Sequence, residues 1–210
     1  MAPLNKPIIF PLPLFDKIFF FKYNIIMKKV LLALILSTNL CFASVDLSKQ
    51  ATAFYSDNNF NKTLDLLLQI DENERSAQDW LLLGNLMDEK GEKANAIFMY
   101  QKSINADEKY YKAYYNLANL YLADEKYNMA IENYKKAVKL NQQNPYVFYN
   151  LACAYIKSGE IKKAKTQLLK AVTLKNDIPE IHYNLAYVYK NLNKPKLAQT
   201  YLDNYNKLKG

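Results

Sequence analysis

A chain of 210 residues with half of its positions apolar is long enough for one or two folded units, and 28 basic against 20 acidic residues leave a net charge of +8. One histidine and two cysteines exclude a His-rich zinc site and a disulfide framework, and four glycines are too few for phosphate-cradling loops. Arg75 is the only arginine, so a clustered Arg/Lys stripe for reading nucleic acid is absent as well.

Residues 1–26 are apolar but broken by Pro7, Pro11 and Pro13, and they lack the basic start of an export signal. They are expected to lie upstream of the true start at Met27. Residues 27–43, MKKVLLALILSTNLCFA, have the layout of a secretory signal, with Lys28 and Lys29, an apolar run from Val30 to Leu36 and a small residue before the break. That run is shorter than the ~20 residues a membrane-spanning helix needs. Cleavage after Ala43 is therefore expected, with the mature chain in the periplasm of a Gram-negative-like bacterium. The alternative is a membrane-anchored chain facing the periplasm, held by an uncut anchor over Leu14–Leu36 or by lipid on Cys41. Leu40 is bulky where lipoprotein signals carry a small residue. Membrane contact is expected only if this N-terminus is retained.

Residues 44–76 read as a degenerate capping unit. Phe60, Thr63 and Leu67 are spaced as an aromatic, a small and a large residue on one helix, but the unit is one residue short of those that follow, and the stretch from Leu47 to Ala51 is weakly apolar. An end unit has one face in water, which accounts for the poorer pattern.

From residue 77 the chain repeats with a period of 34, as 77–110, 111–144, 145–178 and 179–210. The fourth, seventh, eighth and eleventh places read Trp80, Leu83, Gly84, Met87, then Tyr114, Leu117, Ala118, Tyr121, then Phe148, Leu151, Ala152, Tyr155, then His182, Leu185, Ala186, Tyr189. That spacing forms a large-small-large stripe on one face of a helix. After a turn, Ala96, Ala130, Ala164 and Ala198 hold place twenty, and Tyr100, Tyr134, Leu168 and Leu202 hold place twenty-four. Small residues at place twenty let two helices approach closely and the larger ones fill the space beside them.

This pattern resembles the tetratricopeptide repeat, W-x2-L-G-x2-Y followed by A-x3-F, in four consecutive copies. The resemblance implies an all-α fold, an α-solenoid of antiparallel helix hairpins wound as a right-handed superhelix, whose first helices line an inner groove for a partner protein or peptide. On that template the groove carries Leu81, Asn85, Tyr115, Asn119, Leu122, Tyr146, Tyr149, Cys153, Ile156, Tyr183 and Tyr187, together with Asp88 and Lys190. Tyr115, Tyr149 and Tyr183 recur one repeat apart and are expected to form a ladder. Tetratricopeptide domains that clamp a C-terminal carboxylate need cations where this chain has Leu81, Tyr146 and Asn150. Only Asn85 and Asn116 match, so no such clamp is expected.

His182 replaces Trp80, Tyr114 and Phe148 at a packing position, and carboxylates such as Asp88 and Glu89 fall on polar helix faces. No catalytic constellation, cofactor or metal is expected, and the chain reads as a non-enzymatic scaffold or adaptor of the cell envelope. The runner-up is a membrane-tethered assembly subunit of one envelope complex. Charge is uneven: residues 44–110 hold 7 basic and 12 acidic side chains, residues 111–210 hold 16 and 7. Such asymmetry can orient a partner. At the C-terminal end, Tyr201, Leu202, Tyr205 and Leu208 are expected to leave an apolar edge through which the last helix pairs with another copy or with a partner.

Overall fold

The 34-residue period becomes a period of helices. In the computed structural model, which describes the backbone of residues 14–210 and the side chains of residues 26–34 and 43–210, first helices begin at 77, 111, 145 and 179 and second helices at 93, 127, 161 and 195. These are α3 (Ala77–Glu89) with α4 (Lys93–Ala106), α5 (Tyr111–Ala123) with α6 (Tyr127–Leu140), α7 (Pro145–Lys157) with α8 (Ile161–Leu174), and α9 (Pro179–Asn191) with α10 (Pro195–Lys209). Ahead of them α1 (Leu14–Ser56) pairs its C-terminal part with α2 (Phe60–Leu68), and a 3₁₀ turn at Glu72–Glu74 leads into α3. The described residues contain no strand. Residues 1–13 of the expected N-terminal extension, and the side chain of Cys41, lie outside the described residues.

Local sequence sets where each helix starts and stops. Ser76 caps α3 in a reciprocal box with Asp79. Asn144 caps α7, and Pro145, Pro179 and Pro195 occupy the first turn of their helices, where a missing N–H costs nothing. Each hairpin turn places one residue in the left-handed region at the same point of the repeat: Gly91, Glu125, Gly159 and Asn193, with Asn58 in the cap. Gly and Asn accept that geometry readily, whereas Glu125 at φ 58° does not.

Packing then builds the array. Each hairpin packs on the next, and first helices also touch in succession, α1 on α3, α3 on α5, α5 on α7 and α7 on α9. No comparable succession links the second helices, so the first helices occupy the inner side of the curve. The core runs unbroken from Leu81 to Tyr189, and a second cluster of Ala51, Leu67, Ile70, Trp80 and Leu83 joins the cap to the first repeat. Ala96, Ala130 and Ala164 are fully buried, and the larger residue at place twenty-four fills the space beside each. Gly84 is needed for the same reason in a tighter form: a Cβ there would meet the Tyr100 ring at 2.4 Å.

Both ends depart from the repeated pattern. Ile26, Met27, Val30, Leu31 and Leu32 on α1 are exposed. The segment read as signal and the first helix of the cap are thus parts of one helix. Among the described residues, no helix is long and apolar enough to cross a membrane.

Candidate functional site

The inner surface is built from side chains that successive first helices present at the same places. A cleft of about 420 Å³ opens over the start of the array, where Leu81 and Asn85 on α3, Tyr111, Tyr115 and Asn116 on α5 and Tyr146 on α7 face one another, with Thr52 and Tyr55 of the cap beside them. Tyr146 is the most open of these, 46 % exposed, with the Lys175 ammonium 5.9 Å from its ring centre.

Beneath the cleft runs a ladder of amide and phenol hydrogen bonds. The Asn85 side-chain oxygen accepts from the Tyr100 hydroxyl at 3.0 Å and from Asn116 Nδ2 at 2.7 Å. One repeat on, Asn119 accepts from Tyr134 at 2.6 Å and from Asn150 at 3.2 Å, and Asn150 also donates to the Tyr115 hydroxyl at 2.8 Å. A third rung is weaker, with Asn184 donating to the Cys153 sulfur at 3.4 Å. The first two rungs tie both helices of a hairpin to the first helix of the next, and the third links first helices only. Asn85 and Asn119 therefore have their oxygens engaged inside the array.

The other predicted groove residues divide by position. Leu122 and Ile156 are half-buried against the core. Tyr115 packs edge-on to Tyr134, ring centres 6.0 Å apart, and Tyr149 lies half-buried near Cys153. Tyr183 and Tyr187 do not share the cleft: they line a separate opening between α9 and α10, where Tyr183 packs on Tyr205 at 5.3 Å. Lys190 lines that opening too, and Asp88 is exposed beyond the cleft.

The roles of Tyr100, Tyr134, Asn116 and Asn150 in the ladder do not follow from groove positions alone. A signal for them does exist. Asn at place nine occurs where place twenty-four is Tyr, in Asn85 with Tyr100 and Asn119 with Tyr134, and both change together to Cys153 with Leu168 and Tyr187 with Leu202.

This surface can bind by contact, and burial disfavours the charged forms of Tyr115, Tyr149 and Cys153 within it. Burial pushes the Tyr115 and Tyr149 phenols above their ordinary range. Burial likewise raises the Cys153 thiol, so the sulfur is protonated near neutral pH, the opposite of an activated nucleophile. His182 is buried, with Nε2 2.6 Å from the Asn176 carbonyl. Among the described residues no three His, Cys, Asp or Glu side chains converge to hold a metal ion.

Stacked hairpins with an inner face of tyrosine and asparagine define an α-solenoid of the protein-interaction class. A TPR repeat model matches residues 118–159 and 153–193, and tetratricopeptide repeat models match residues 99–132, 80–110 and 179–209. The chain belongs to the tetratricopeptide repeat family, a family of protein–protein interaction scaffolds that are typically non-enzymatic. No curated relative matches it.

Among solved structures it is similar to MamA AMB-1, at 19 % identity and a TM-score of 0.68 over 80 % of this chain and 92 % of that one. MamA MSR-1 gives 20 %, 0.66, 79 % and 96 % in the same order. MamA 41-end from Desulfovibrio magneticus RS-1 gives 16 %, 0.69, 80 % and 95 %. At these identities the likeness concerns the fold, a right-handed solenoid of antiparallel hairpins.

Proposed function

We propose that the chain is a non-enzymatic adaptor of the bacterial cell envelope that holds a segment of another protein in the cleft over α3, α5 and α7. The observation that carries this reading is the cleft itself, where cap, first, second and third repeats all contribute, with Tyr146 at its mouth. Tyrosine supplies a large contact area with few rotors to freeze and a hydroxyl that bonds at the rim. The ladder below fixes the spacing between first helices, so the partner meets a preformed surface.

Tyr146→Ala combined with Gln78→Ala tests it, because Tyr146 and Gln78 are both exposed at the cleft and stand outside the Asn–Tyr ladder. Proteins captured from envelope extract on the immobilised chain should fall by about tenfold on the variant, roughly 1.4 kcal/mol of contact. Equal recovery overturns the assignment.

A membrane-tethered subunit is the second reading, favoured by α1 being one unbroken helix with exposed apolar side chains between Ile26 and Leu32. The mass of the mature chain separates the two. A first residue at Ser44 supports the soluble adaptor, and retention from Met27, or acylation on Cys41, supports the tether.

A further inference from the structure

We infer that the opening between α9 and α10 is a second, separate docking site, and that its occupant is an amphipathic helix of a partner protein, apolar at i, i+4 and i+7 and acidic toward its C-terminal end. This site is independent of the cleft. Within the array, the corresponding surface of each earlier hairpin is closed by the first helix of the next repeat. That helix inserts Ala113, Leu117 and Leu120, or Val147, Leu151 and Ala154, or Ile181, Leu185 and Val188, all of them buried. The fourth hairpin keeps the receiving surface, with Ala198 and Leu202 at the places of Ala164 and Leu168, but both are partly exposed. The opening has a volume of about 460 Å³, with Tyr183 53 % and Tyr187 45 % exposed along its wall.

Charge selects the occupant. Lys190 lines the opening, and Lys194 and Lys196 stand at the turn beside it with no acidic residue between them. At the far end Lys207 and Lys209 are balanced by Glu180 and by Asp203, which accepts from Gln199 at 2.8 Å, so the basic excess lies at the turn. The ladder gives the register: place nine of one first helix meets place six of the next, in Asn85 with Asn116, Asn119 with Asn150 and Cys153 with Asn184. By the same offset, Lys190 at place twelve faces place nine of a docked helix. A carboxylate there and one turn later meets the lysines of the turn.

A second copy of this chain fits less well. Its cap presents Asp46 and Gln50, bonded to each other at 2.8 Å, at the places where an inserting helix carries its apolar stripe. Its exposed apolar segment carries Lys28 and Lys29, the same sign as the opening. Two openings set face to face would bring their lysines together.

The test uses the full chain and a fluorescent peptide with the sequence of Tyr111–Ala123, made in two forms. One carries Asn119→Glu and Ala123→Glu, the other Asn119→Lys and Ala123→Lys. By anisotropy the acidic form should bind about tenfold or more tighter than the basic one. Leu202→Glu should abolish binding. Lys190→Glu with Lys196→Glu, exposed changes that leave the packing intact, should reverse the preference, and Tyr146→Ala with Gln78→Ala should leave it untouched. Equal binding of both forms, no binding of either, or loss only in the Tyr146 variant overturns the proposal. So does a Leu202-dependent dimer of the chain alone in light scattering, which would put a second copy in the opening.

Discussion

The two ends of the array solve the same problem in opposite ways. Every internal hairpin buries its apolar faces on two neighbours, and an end hairpin has only one. At the N-terminal end the sequence changes: the places that hold Ala113, Leu117 and Leu120 in the second repeat hold Asp46, Gln50 and Ala53 in the cap, all exposed. The cap is then fastened inward, where Asp79 Oδ2 accepts from the Ser48 hydroxyl at 2.8 Å and from the Ser76 amide at 2.8 Å. Arg75 sits 5.0 Å from the Trp80 ring centre at the same junction. At the C-terminal end the sequence barely changes. Ala198 and Leu202 continue the stripe, and only Tyr205 enlarges place twenty-seven, where Ser103, Ala137 and Ala171 are buried. Burial of a repeated residue is thus decided by its neighbour, not by its type.

A pair of substitutions at one place would break that contrast most sharply. Leu168→Ala removes a fully buried side chain and should cost about 2–5 kcal/mol. Leu202→Ala, at the same place one repeat later, should cost under about 1 kcal/mol because the side chain is already partly exposed. Urea denaturation followed by circular dichroism reads both, and equal losses would show that the last hairpin is as closed as the third.

Alkali destabilises the interior through its buried phenols. Burial raises the Tyr100 and Tyr134 phenols far above their ordinary value near 10. In that case the folded state keeps protons that the unfolded state releases. The stabilisation is complete below pH ~10 and is lost as pH rises above it, by up to about 1.4 kcal/mol per pH unit for each phenol. Absorbance at alkaline pH should show the buried pair ionising only with loss of helix. Smooth titration of all phenols in a folded chain would contradict the ladder.

Asp79→Ala should loosen the cap by about 1–3 kcal/mol. Trp80, the only tryptophan, lies in the cluster joining cap and array, so its emission should shift at lower urea than the helical signal. A gain is expected in the middle: Glu125→Gly relieves a left-handed residue and should stabilise by about 1 kcal/mol, read as a raised urea midpoint.

The all-α solenoid was legible because size alternates with a fixed period over four copies, and helix packing demands that alternation. The turn chemistry was legible at Gly91 and Gly159 but hidden at Glu125, a residue type that rarely adopts the left-handed region. The inner face was less legible. Groove position alone cannot tell an asparagine offered to a ligand from one, such as Asn119, whose oxygen is already held by Tyr134 and Asn150.

At the C-terminal edge Tyr201, Leu202 and Tyr205 are partly exposed and Leu208 is exposed. Tyr201 stacks on Tyr189 with ring centres 5.4 Å apart, and Tyr205 lies against Tyr183. Leu202 lines the opening beside these rings.

Residue-resolved hydrogen exchange on the full chain, alone and with the acidic-flanked peptide, tests the contrast between the ends most directly. Amides of α9 and α10 should be the least protected of the four repeats, those of α2 and α3 more so, and the peptide should slow exchange in α9 and α10 alone. Protection of α9 and α10 equal to that of α5 and α6, unmoved by the peptide, would contradict it.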